Sequence, residues 1–357
     1  MSRPIKICFI SFNSFPLFQT NSKQYFGGAE VQISIIAKYL AKDKNFSVHV
    51  ITGDYNQPVI VRKNKLILYK GFRRHWHVII KIIRTLLISK KINADFYVGR
   101  TASNLLWLMA VFCRIYKKKL IYMVAHDWDC QKDKANPISR VNRKLFIKAL
   151  SMTNLIVAQT KTQQQMIKKN LGLNSIVMYS LLAPIKRQES IVKKIILWVG
   201  RADWWKQPKK FIKLAQNYPN EKMVMICRQG LDKKLFAEVQ VLAKKQPNLT
   251  FLPAVPFEAI ISFFSRAKLL INTSIAEGFP NTFLQAGLTK TPVLSFKVNP
   301  DRYLTRFNCG IVGKNNFPKI IKQPEKLKIM GLNHYHYVKN YHSAKNIEIF
   351  KKAITSL

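Results

Sequence analysis

One stretch of this sequence follows the strand, turn and helix order of an open α/β sheet. Lys268 to Asn272 (KLLIN) is a short apolar run between polar residues, which indicates a buried parallel strand. Asn281 to Leu288 carries apolar residues at helical spacing, and either Asn281 or Thr282 can cap that helix. The turn from Glu277 to Thr282 contains a glycine that frees the backbone. A helix start at a strand end offers amide N–H groups to an anion, so we expect a phosphate site here.

A second strand end carries two cations. Ile195 to Val199 is predicted as a strand, and Gly200 and Arg201 follow it directly, with Lys206 five residues further on. Arginine can grip a diphosphate through its planar fork, and lysine can act on it as a point charge. These residues therefore predict a site for a diphosphate.

The first half of the chain repeats this organisation. Ile5 to Ser11 is an apolar opening strand, and Gly27 and Gly28 precede a helical stripe, which is a pattern that can cradle a phosphate. The strand Leu120 to Ala125 delivers His126 at its carboxyl end. The alternation of strands and helices in both halves predicts an α/β protein built from two Rossmann-like domains.

These motifs resemble those of glycosyltransferase family 4, retaining enzymes of the GT-B architecture. The similarity lies in EGFPNTF followed by Gln285, eight residues after Glu277, in GRADWWKQPKK, and in GGAEVQ. Gln285 replaces the family's usual Glu, and an amide accepts with one oxygen where a carboxylate can accept from both ribose hydroxyls. The resemblance implies catalytic roles for His126, Arg201, Lys206 and Glu277, and donor binding by Gly27, Gly28, Gly200, Gly278, Phe279, Asn281, Thr282 and Gln285.

The same resemblance implies the domain organisation and the reaction. We expect an N-terminal domain at 1–183, a linker at 184–194, a donor domain at 195–340, and a terminal helix within 341–357 that crosses back to the N-terminal domain. The two domains would face each other across a cleft. The expected activity is retaining transfer of a hexosyl or N-acetylhexosaminyl group from a nucleotide-diphosphate sugar, with UDP favoured over GDP and no metal required.

The charge points to a polyanionic partner. The 357 residues include 60 Lys and Arg against 17 Asp and Glu, which gives a net charge of +43. The segment Arg73 to Lys91 is predicted as a basic amphipathic helix with a tryptophan, as found at membrane interfaces, although a core-facing helix fits the same pattern. We therefore expect an anionic membrane surface as a partner. The family resemblance implies a lipid-linked or oligosaccharide acceptor, in cell-surface polysaccharide biosynthesis.

Other features place the protein in the cytoplasm, at the inner face of the cytoplasmic membrane. The five cysteines form no close-spaced pair, which suits a reducing compartment and argues against structural zinc. The apolar run Leu105 to Cys113 is too short to cross a bilayer, and no signal peptide is recognisable. Asp127 and Asp129 could hold a metal, but we interpret them as loop residues.

Two other function classes remain open. A nucleic-acid-binding protein would explain the charge, but the basic residues form no single block and no recognised nucleic-acid motif is present, so no nucleic acid partner is expected. A sugar-nucleotide epimerase of the same architecture needs no acceptor. Release of a free isomer from the donor, without added glycan, would identify it.

Overall fold

The computed structural model describes residues 3–19, 26–73, 75–132, 142–182, 192–256 and 259–357. The chain divides into two compact units, which we call the first unit (Met1–Ala183 with Ala344–Leu357) and the second unit (Pro184–Ser343). Of the predicted linker, residues 184–191 lie outside the described residues. At its end, Lys193 donates from Nζ to the carbonyl oxygens of Ala267 (3.1 Å) and Thr289 (2.8 Å), so this residue belongs structurally to the second unit.

The first unit contains a sheet flanked by helices. Its strands are β1 (Ile5–Ile10), β2 (Phe46–Thr52), β3 (Ile60–Lys63), β4 (Leu66–Lys70), β5 (Phe96–Arg100), β6 (Lys119–Met123), β7 (Leu155–Ala158) and β8 (Ile176–Val177). Its helices before the second unit are α1 (Gly28–Leu40), α2 (Val78–Ile92), α3 (Asn104–Ile115), α4 (Arg143–Ser151) and α5 (Lys161–Leu171). The strand order is β3-β4-β2-β1-β5-β6-β7-β8, and every described pairing is parallel except that of β3 with β4.

The second unit repeats the architecture with a shorter sheet. Its strands are β9 (Ile195–Ala202), β10 (Met223–Gln229), β11 (Leu249–Leu252), β12 (Ala267–Asn272), β13 (Val293–Ser295) and β14 (Gly310–Val312). Its helices are α6 (Pro208–Asn217), α7 (Lys233–Lys244), α8 (Ile260–Arg266), α9 (Asn281–Leu288), α10 (Tyr303–Arg306), α11 (Phe317–Ile320) and α12 (Pro324–Tyr341). The order β11-β10-β9-β12-β13-β14 is parallel throughout the described pairs.

The two central strands form because their side chains are apolar on both faces. In β1, Ile7, Cys8 and Phe9 are completely buried, and in β9, Ile196 and Leu197 are equally inaccessible. Strands covered by helices on both sides read as continuous apolar runs, which is why the sequence pattern located both of them.

A last helix, α13 (Asn346–Thr355), returns to the first unit, as predicted for the terminal helix. It buries Ile347, Phe350 and Ile354. Lys351 Nζ lies 2.8 Å from Asp43 Oδ2, and this hydrogen bond is the main reason why the pKa of the Asp43 carboxyl is lowered. The predicted helix therefore exists, and it is preceded by α12, which was not predicted.

A buried histidine joins α12 to the rest of the second unit. His334 Nδ1 lies 2.8 Å from the carbonyl oxygen of Thr291, and Nε2 lies 3.2 Å from the Tyr303 hydroxyl. A carbonyl only accepts, so Nδ1 carries the proton and Nε2 accepts from the tyrosine. Burial lowers the pKa of His334 to about 4, so the ring is neutral at physiological pH.

The structure corrects several expected boundaries. The helix predicted from Arg73 begins at Val78, because His77 occupies its N-cap and accepts from the amide of Ile79 (3.4 Å). β9 continues to Ala202, since β10 pairs with it that far, so Gly200 and Arg201 lie within the strand and not beyond it.

Two further observations concern membranes and thiols. Within the described residues, no helix has both the length and the apolar character needed to span a bilayer. The five cysteines are free and buried, and burial raises the pKa of the Cys113 and Cys227 thiols to about 12. Such thiols are protonated and inert at neutral pH.

Candidate active site

In the sheet of the second unit, the strand order reverses between the neighbouring strands β9 and β12. From β9 the chain proceeds to β10 and β11 on one side, and from β12 it proceeds to β13 and β14 on the other. Open α/β sheets bind ligands at such a switch point, outside the carboxyl ends of the strands. The segments that follow β9 and β12 contain Lys206 and Glu277, respectively.

Lys206 and Glu277 are in direct contact at this switch point. Lys206 Nζ forms an ion pair with Glu277 Oε1, although the residues are 71 positions apart. Ser274 Oγ donates to the same carboxylate oxygen at 2.7 Å. The side chains of Lys206 and Glu277 are only 21% and 10% exposed, so the pair is shielded from water and weakly screened.

Hydrogen bonds fix the two segments that carry this pair. Thr273 Oγ1 donates to the carbonyl oxygen of Lys206 at 2.5 Å, and Trp198 Nε1 donates to Thr273 Oγ1 at 2.9 Å. The amide of Ile275 donates to the carbonyl oxygen of Trp205 at 2.8 Å. The loops after β9 and β12 are therefore tied to each other by backbone as well as side-chain contacts.

Arg201 has a carboxylate of its own. Its Nη2 lies 2.8 Å from Asp203 Oδ2, and the Asp203 side chain is completely buried. Asp203 Oδ1 accepts from the amide of Leu231 at 3.1 Å. Gly230 is required beside it, because a Cβ there would lie 2.2 Å from Asp203 Oδ1. The guanidinium also lies over the Trp205 ring, 5.9 Å from its centroid.

Arg201 thus pairs with Asp203, and Lys206 pairs with Glu277. Of these two acids, the sequence analysis identified only Glu277. Asp203 and Ser274 were not predicted. The signal available for Asp203 was its position two residues after Arg201, and for Ser274 its position three residues before Glu277. Both become recognisable only once the strand pairing brings their loops together.

The turn before α9 has the predicted helix start but not the predicted cap. Pro280 occupies the N-cap position and no side chain caps the helix, so Asn281 and Thr282 lie inside its first turn. The prediction that Asn281 or Thr282 caps the helix is therefore wrong. Pro280 takes the N-cap position, and its ring fixes the backbone where the helix begins. The first amide groups of a helix have no partner within it, so this end can still receive an anion.

The other residues of the second unit that were predicted to bind the donor lie in different environments. Phe279 is 5% exposed and its ring packs against Tyr303 (5.3 Å) and His342 (4.3 Å), so its side chain belongs to the core and only its backbone can face a ligand. Gly278 is buried, and Gln285 lies partly buried on α9, two residues after the completely buried Phe283. At Gly200, a Cβ would lie 2.7 Å from the Trp198 ring, so a side chain does not fit.

In the first unit, the predicted glycine loop is a helix N-terminus. Gly27 is the N-cap of α1 and Gly28 its first residue. The amide of Gly27 donates to Glu30 Oε2 at 2.9 Å, and a Cβ on Gly27 would lie 2.6 Å from that oxygen. A side chain at this position would therefore push Glu30 away from the cap.

His126 follows β6 and is 7% exposed. Its Nδ1 accepts from the amide of Trp128 at 3.2 Å, so in the neutral ring Nε2 carries the proton. The Asp129 carboxylate accepts from the amides of Ala125 (3.0 Å) and His126 (3.1 Å), and Asp127 accepts from Gln163 Nε2 at 2.9 Å. Both acids bond to the loop and its neighbours, and the described residues include no group of three potential metal ligands.

Two family models match the sequence. The model of glycosyl transferases group 1 matches residues 184–323, and the model of glycosyltransferase family 4 matches residues 26–179. None of the curated proteins compared with this sequence matches it. The first model covers every strand of the second unit's sheet together with Arg201, Lys206 and Glu277, and the second model covers the strands of the first unit's sheet from β2 to β8.

Solved structures show the same fold at low identity. Sucrose-phosphate synthase from Thermosynechococcus elongatus is 12% identical with a TM-score of 0.76, covering 99% of this chain and 100% of that one. A glycosyltransferase from Rickettsia africae is 15% identical with a TM-score of 0.66, covering 99% of each chain. UDP-GlcNAc 2-epimerase from Neisseria meningitidis, bound to UDP-GlcNAc, is 10% identical with a TM-score of 0.66, covering 99% and 100%. The fold is therefore the predicted GT-B architecture of Rossmann-like domains.

Proposed function

Because this chain belongs to the glycosyltransferases of family 4, we propose that it transfers a sugar from a UDP-sugar to a lipid-linked saccharide, with retention at the anomeric carbon. The observation that carries this proposal is the shielded contact between Lys206 and Glu277 at the switch point of the second sheet. A cation and a carboxylate held together there can receive the diphosphate and the sugar of one donor.

The chemical task is to expel a nucleotide diphosphate from the anomeric carbon. Arg201 and Lys206 would stabilise the negative charge that develops on the leaving group, and the start of α9 would add its amide groups. Asp203 and Glu277 hold these cations in place before the donor arrives, so little reorganisation is needed on binding. Two cations supply the charge that a divalent metal would otherwise provide, and we expect no metal requirement.

Glu277 and His126 would contact the transferred sugar. Once the diphosphate engages Lys206, the Glu277 carboxylate can accept from sugar hydroxyls while Ser274 keeps it oriented. From the first unit, the Nε2–H of His126 would donate to a hydroxyl of this sugar. In a retaining reaction of this type the leaving phosphate itself takes the acceptor's proton, so we assign no protein nucleophile.

The donor class is proposed from chemistry and fold together. The Neisseria epimerase structure of this fold holds UDP-GlcNAc, which supports UDP and a hexosyl or N-acetylhexosaminyl group. Gln285 would offer the ribose hydroxyls one accepting oxygen, where a carboxylate would offer two. We therefore expect weaker ribose discrimination than a glutamate at this position would give.

Our proposal for the acceptor depends on the exposed face of α2. Five large apolar side chains of this helix, Val78, Ile79, Ile80, Ile83 and Leu87, are between 51% and 62% exposed. Ile79, Ile80, Ile83 and Leu87 belong to the helical face that was expected to contact either a core or a membrane. The helix carries Lys81, Arg84, Lys90 and Lys91 and no acidic residue. An apolar face bordered only by cations complements an anionic bilayer. We propose that this face rests on the cytoplasmic membrane, where lipid-linked glycans of the cell surface are assembled.

Thermal unfolding with nucleotides tests the donor assignment. A ligand at one hundred times its Kd stabilises the folded state by about 2.7 kcal/mol. UDP and UDP-sugars should raise the Tm of the full chain, and Lys206→Met should weaken UDP binding roughly 30-fold, because one charge-assisted contact contributes about 2 kcal/mol.

A matched control is available in the same unit. Lys209 pairs with Glu238 at 2.5 Å, but both side chains are at least half exposed. Lys209→Met should therefore leave the response to UDP unchanged. If no nucleotide diphosphate raises the Tm, the proposal of a nucleotide-sugar donor is wrong. If both variants respond equally to UDP, the donor site does not include Lys206. Conversion of UDP-GlcNAc to a free isomer without acceptor would instead identify an epimerase.

A further inference from the structure

The first unit contains a small pocket at its own switch point. The strand order of its sheet reverses between β1 and β5, since β2 lies on one side of β1 and β5 lies on the other. A cavity of about 160 Å³ lies beyond these strands, between the beginnings of α1 and α3. We call it the first-unit pocket; its polar lining residues are Ser11, Asn13, Glu30, Arg100, Thr101 and Ser103.

Arg100 is the cation of this pocket. It is the last residue of β5, and its Nε–H is buried without a hydrogen-bond partner in the part of the chain that the structure describes. Burial lowers the pKa of Arg100 to about 10, while Tyr122, Asp129 and Glu30 act in the opposite direction. The guanidinium is therefore charged at neutral pH, and a buried donor without an acceptor is costly unless a ligand or water supplies one.

The residues beside Arg100 fit a ligand site better than a packed core. Thr101 has φ of +76°, a left-handed conformation that a β-branched residue rarely adopts and that is typical of functional sites. Ser103 occupies the N-cap of α3 without bonding to its amide groups. The hydroxyl of Ser103 and the amide groups at the start of α3 therefore do not satisfy each other.

The opposite wall is a carboxylate that already has donors. Glu30 Oε2 accepts from the amide of Gly27 at 2.9 Å, and Oε1 accepts from Asn13 Nδ2 at 3.4 Å. Its charge favours hydroxyl groups over a second anion on that side. The pocket thus offers one cation beside one hydroxyl-accepting carboxylate, and its volume is below the roughly 300–1,000 Å³ of whole-ligand sites.

From this arrangement we propose that the first-unit pocket binds one anionic substituent of the acceptor, a carboxylate or a phosphate, through the Arg100 guanidinium. The assignment to the acceptor rests on the proposed function, in which the second unit holds the donor diphosphate. The acceptor would then be an acidic or phosphorylated saccharide, with neighbouring hydroxyls directed to Glu30.

Thermal unfolding of the full chain with small probes tests this proposal. Glucuronate, inorganic phosphate and glucose are compared at one ionic strength, set with sodium chloride, because a chain of net charge +43 attracts anions everywhere. At ten times its Kd, the matching anion should raise the Tm by about 2–4 °C. A rise with glucuronate identifies a carboxylate, and a rise with phosphate identifies a phosphate.

Variants of Arg100 and Arg114 show whether the anion that raises the Tm binds in the first-unit pocket. Arg100→Met should abolish the rise, whereas Arg114→Met, which removes an exposed arginine of α3, should retain it. If Arg100→Met does not fold, Arg100→Lys, which keeps the charge without the Nε–H fork, should show a smaller rise than the parent. An equal rise in an Arg100 variant, an equal rise with glucose, or no rise with either anion would overturn the proposal.

The outcome is separable from that of the donor assignment. A chain that responds to glucuronate or phosphate through Arg100 but not to UDP would keep the pocket and lose the transferase function. A chain that responds to UDP through Lys206 but to neither anion would keep the function and lose the pocket.

Discussion

Replacing Ile80 and Ile83 of α2 with serine should weaken binding to anionic vesicles by about 30-fold. Complete burial of an isoleucine side chain contributes about 1.5–3 kcal/mol. Because these two side chains are 51% and 52% exposed, a bilayer can bury only about half of each, which gives roughly 2 kcal/mol for the pair. Each 1.4 kcal/mol corresponds to about a factor of ten in binding.

The assay is co-sedimentation with vesicles of phosphatidylcholine alone and of equimolar phosphatidylcholine and phosphatidylglycerol. Each cation near the surface contributes about 1 kcal/mol, and the Debye length falls from about 8 Å at physiological ionic strength to about 3 Å at 1 M. The parent protein should therefore bind anionic vesicles at low salt and dissociate at high salt.

A control variant distinguishes the contribution of α2 to vesicle binding from that of exposed apolar residues elsewhere in this basic protein. Ile329→Ser removes a 52% exposed isoleucine from α12 in the second unit and should leave vesicle binding unchanged. Two results would refute the reasoning: a double variant that binds as tightly as the parent, or a parent that binds neutral and anionic vesicles equally at low salt. The first result would show that the apolar face of α2 does not contact lipid, and the second would show that the basic residues do not direct the protein to anionic membranes.

Two further predictions concern the second unit. The unfolding free energy should fall by about 3 kcal/mol as the pH drops from 7 to 4, because His334 titrates near 4 when folded and near 6.5 when unfolded, so the unfolded state binds more protons in that range. Urea unfolding of His334→Gln should show that much less pH dependence, and an unchanged slope would contradict the assignment. Gly230→Ala should destabilise the unit by about 1–3 kcal/mol, because the new methyl group would overlap Asp203 Oδ1. Urea unfolding at neutral pH measures this, and a change below about 0.5 kcal/mol would show that the turn adapts.

Elements bounded by clear turn signals were predictable from the sequence. α9 has the predicted limits, Asn281–Leu288, because proline and threonine border its short apolar pattern. α12 was not predicted. Its buried face mixes Leu327, Met330 and Val338 with Gly331, His334 and Tyr337, so the aliphatic periodicity is interrupted in the middle of the helix.

The candidate site was predictable in residue type but not in geometry. Lys206 and Glu277 were chosen by resemblance, since a separation of 71 residues carries no information about distance; their contact depends on β9 and β12 being neighbours in the sheet. Arg100 was overlooked because an arginine at the end of a strand is ordinary in sequence. Only the structure shows that its Nε–H is buried without a hydrogen-bond partner among the described residues.

The return of α13 to the first unit affects the order of events during synthesis on the ribosome. The second unit is continuous in sequence, so it can fold as soon as its last strand and helix have emerged. The first unit must wait for Phe350, which becomes completely buried only when α13 docks. The surface of the first unit that packs against Ile347, Phe350 and Ile354 of α13 therefore stays uncovered throughout translation of the second unit.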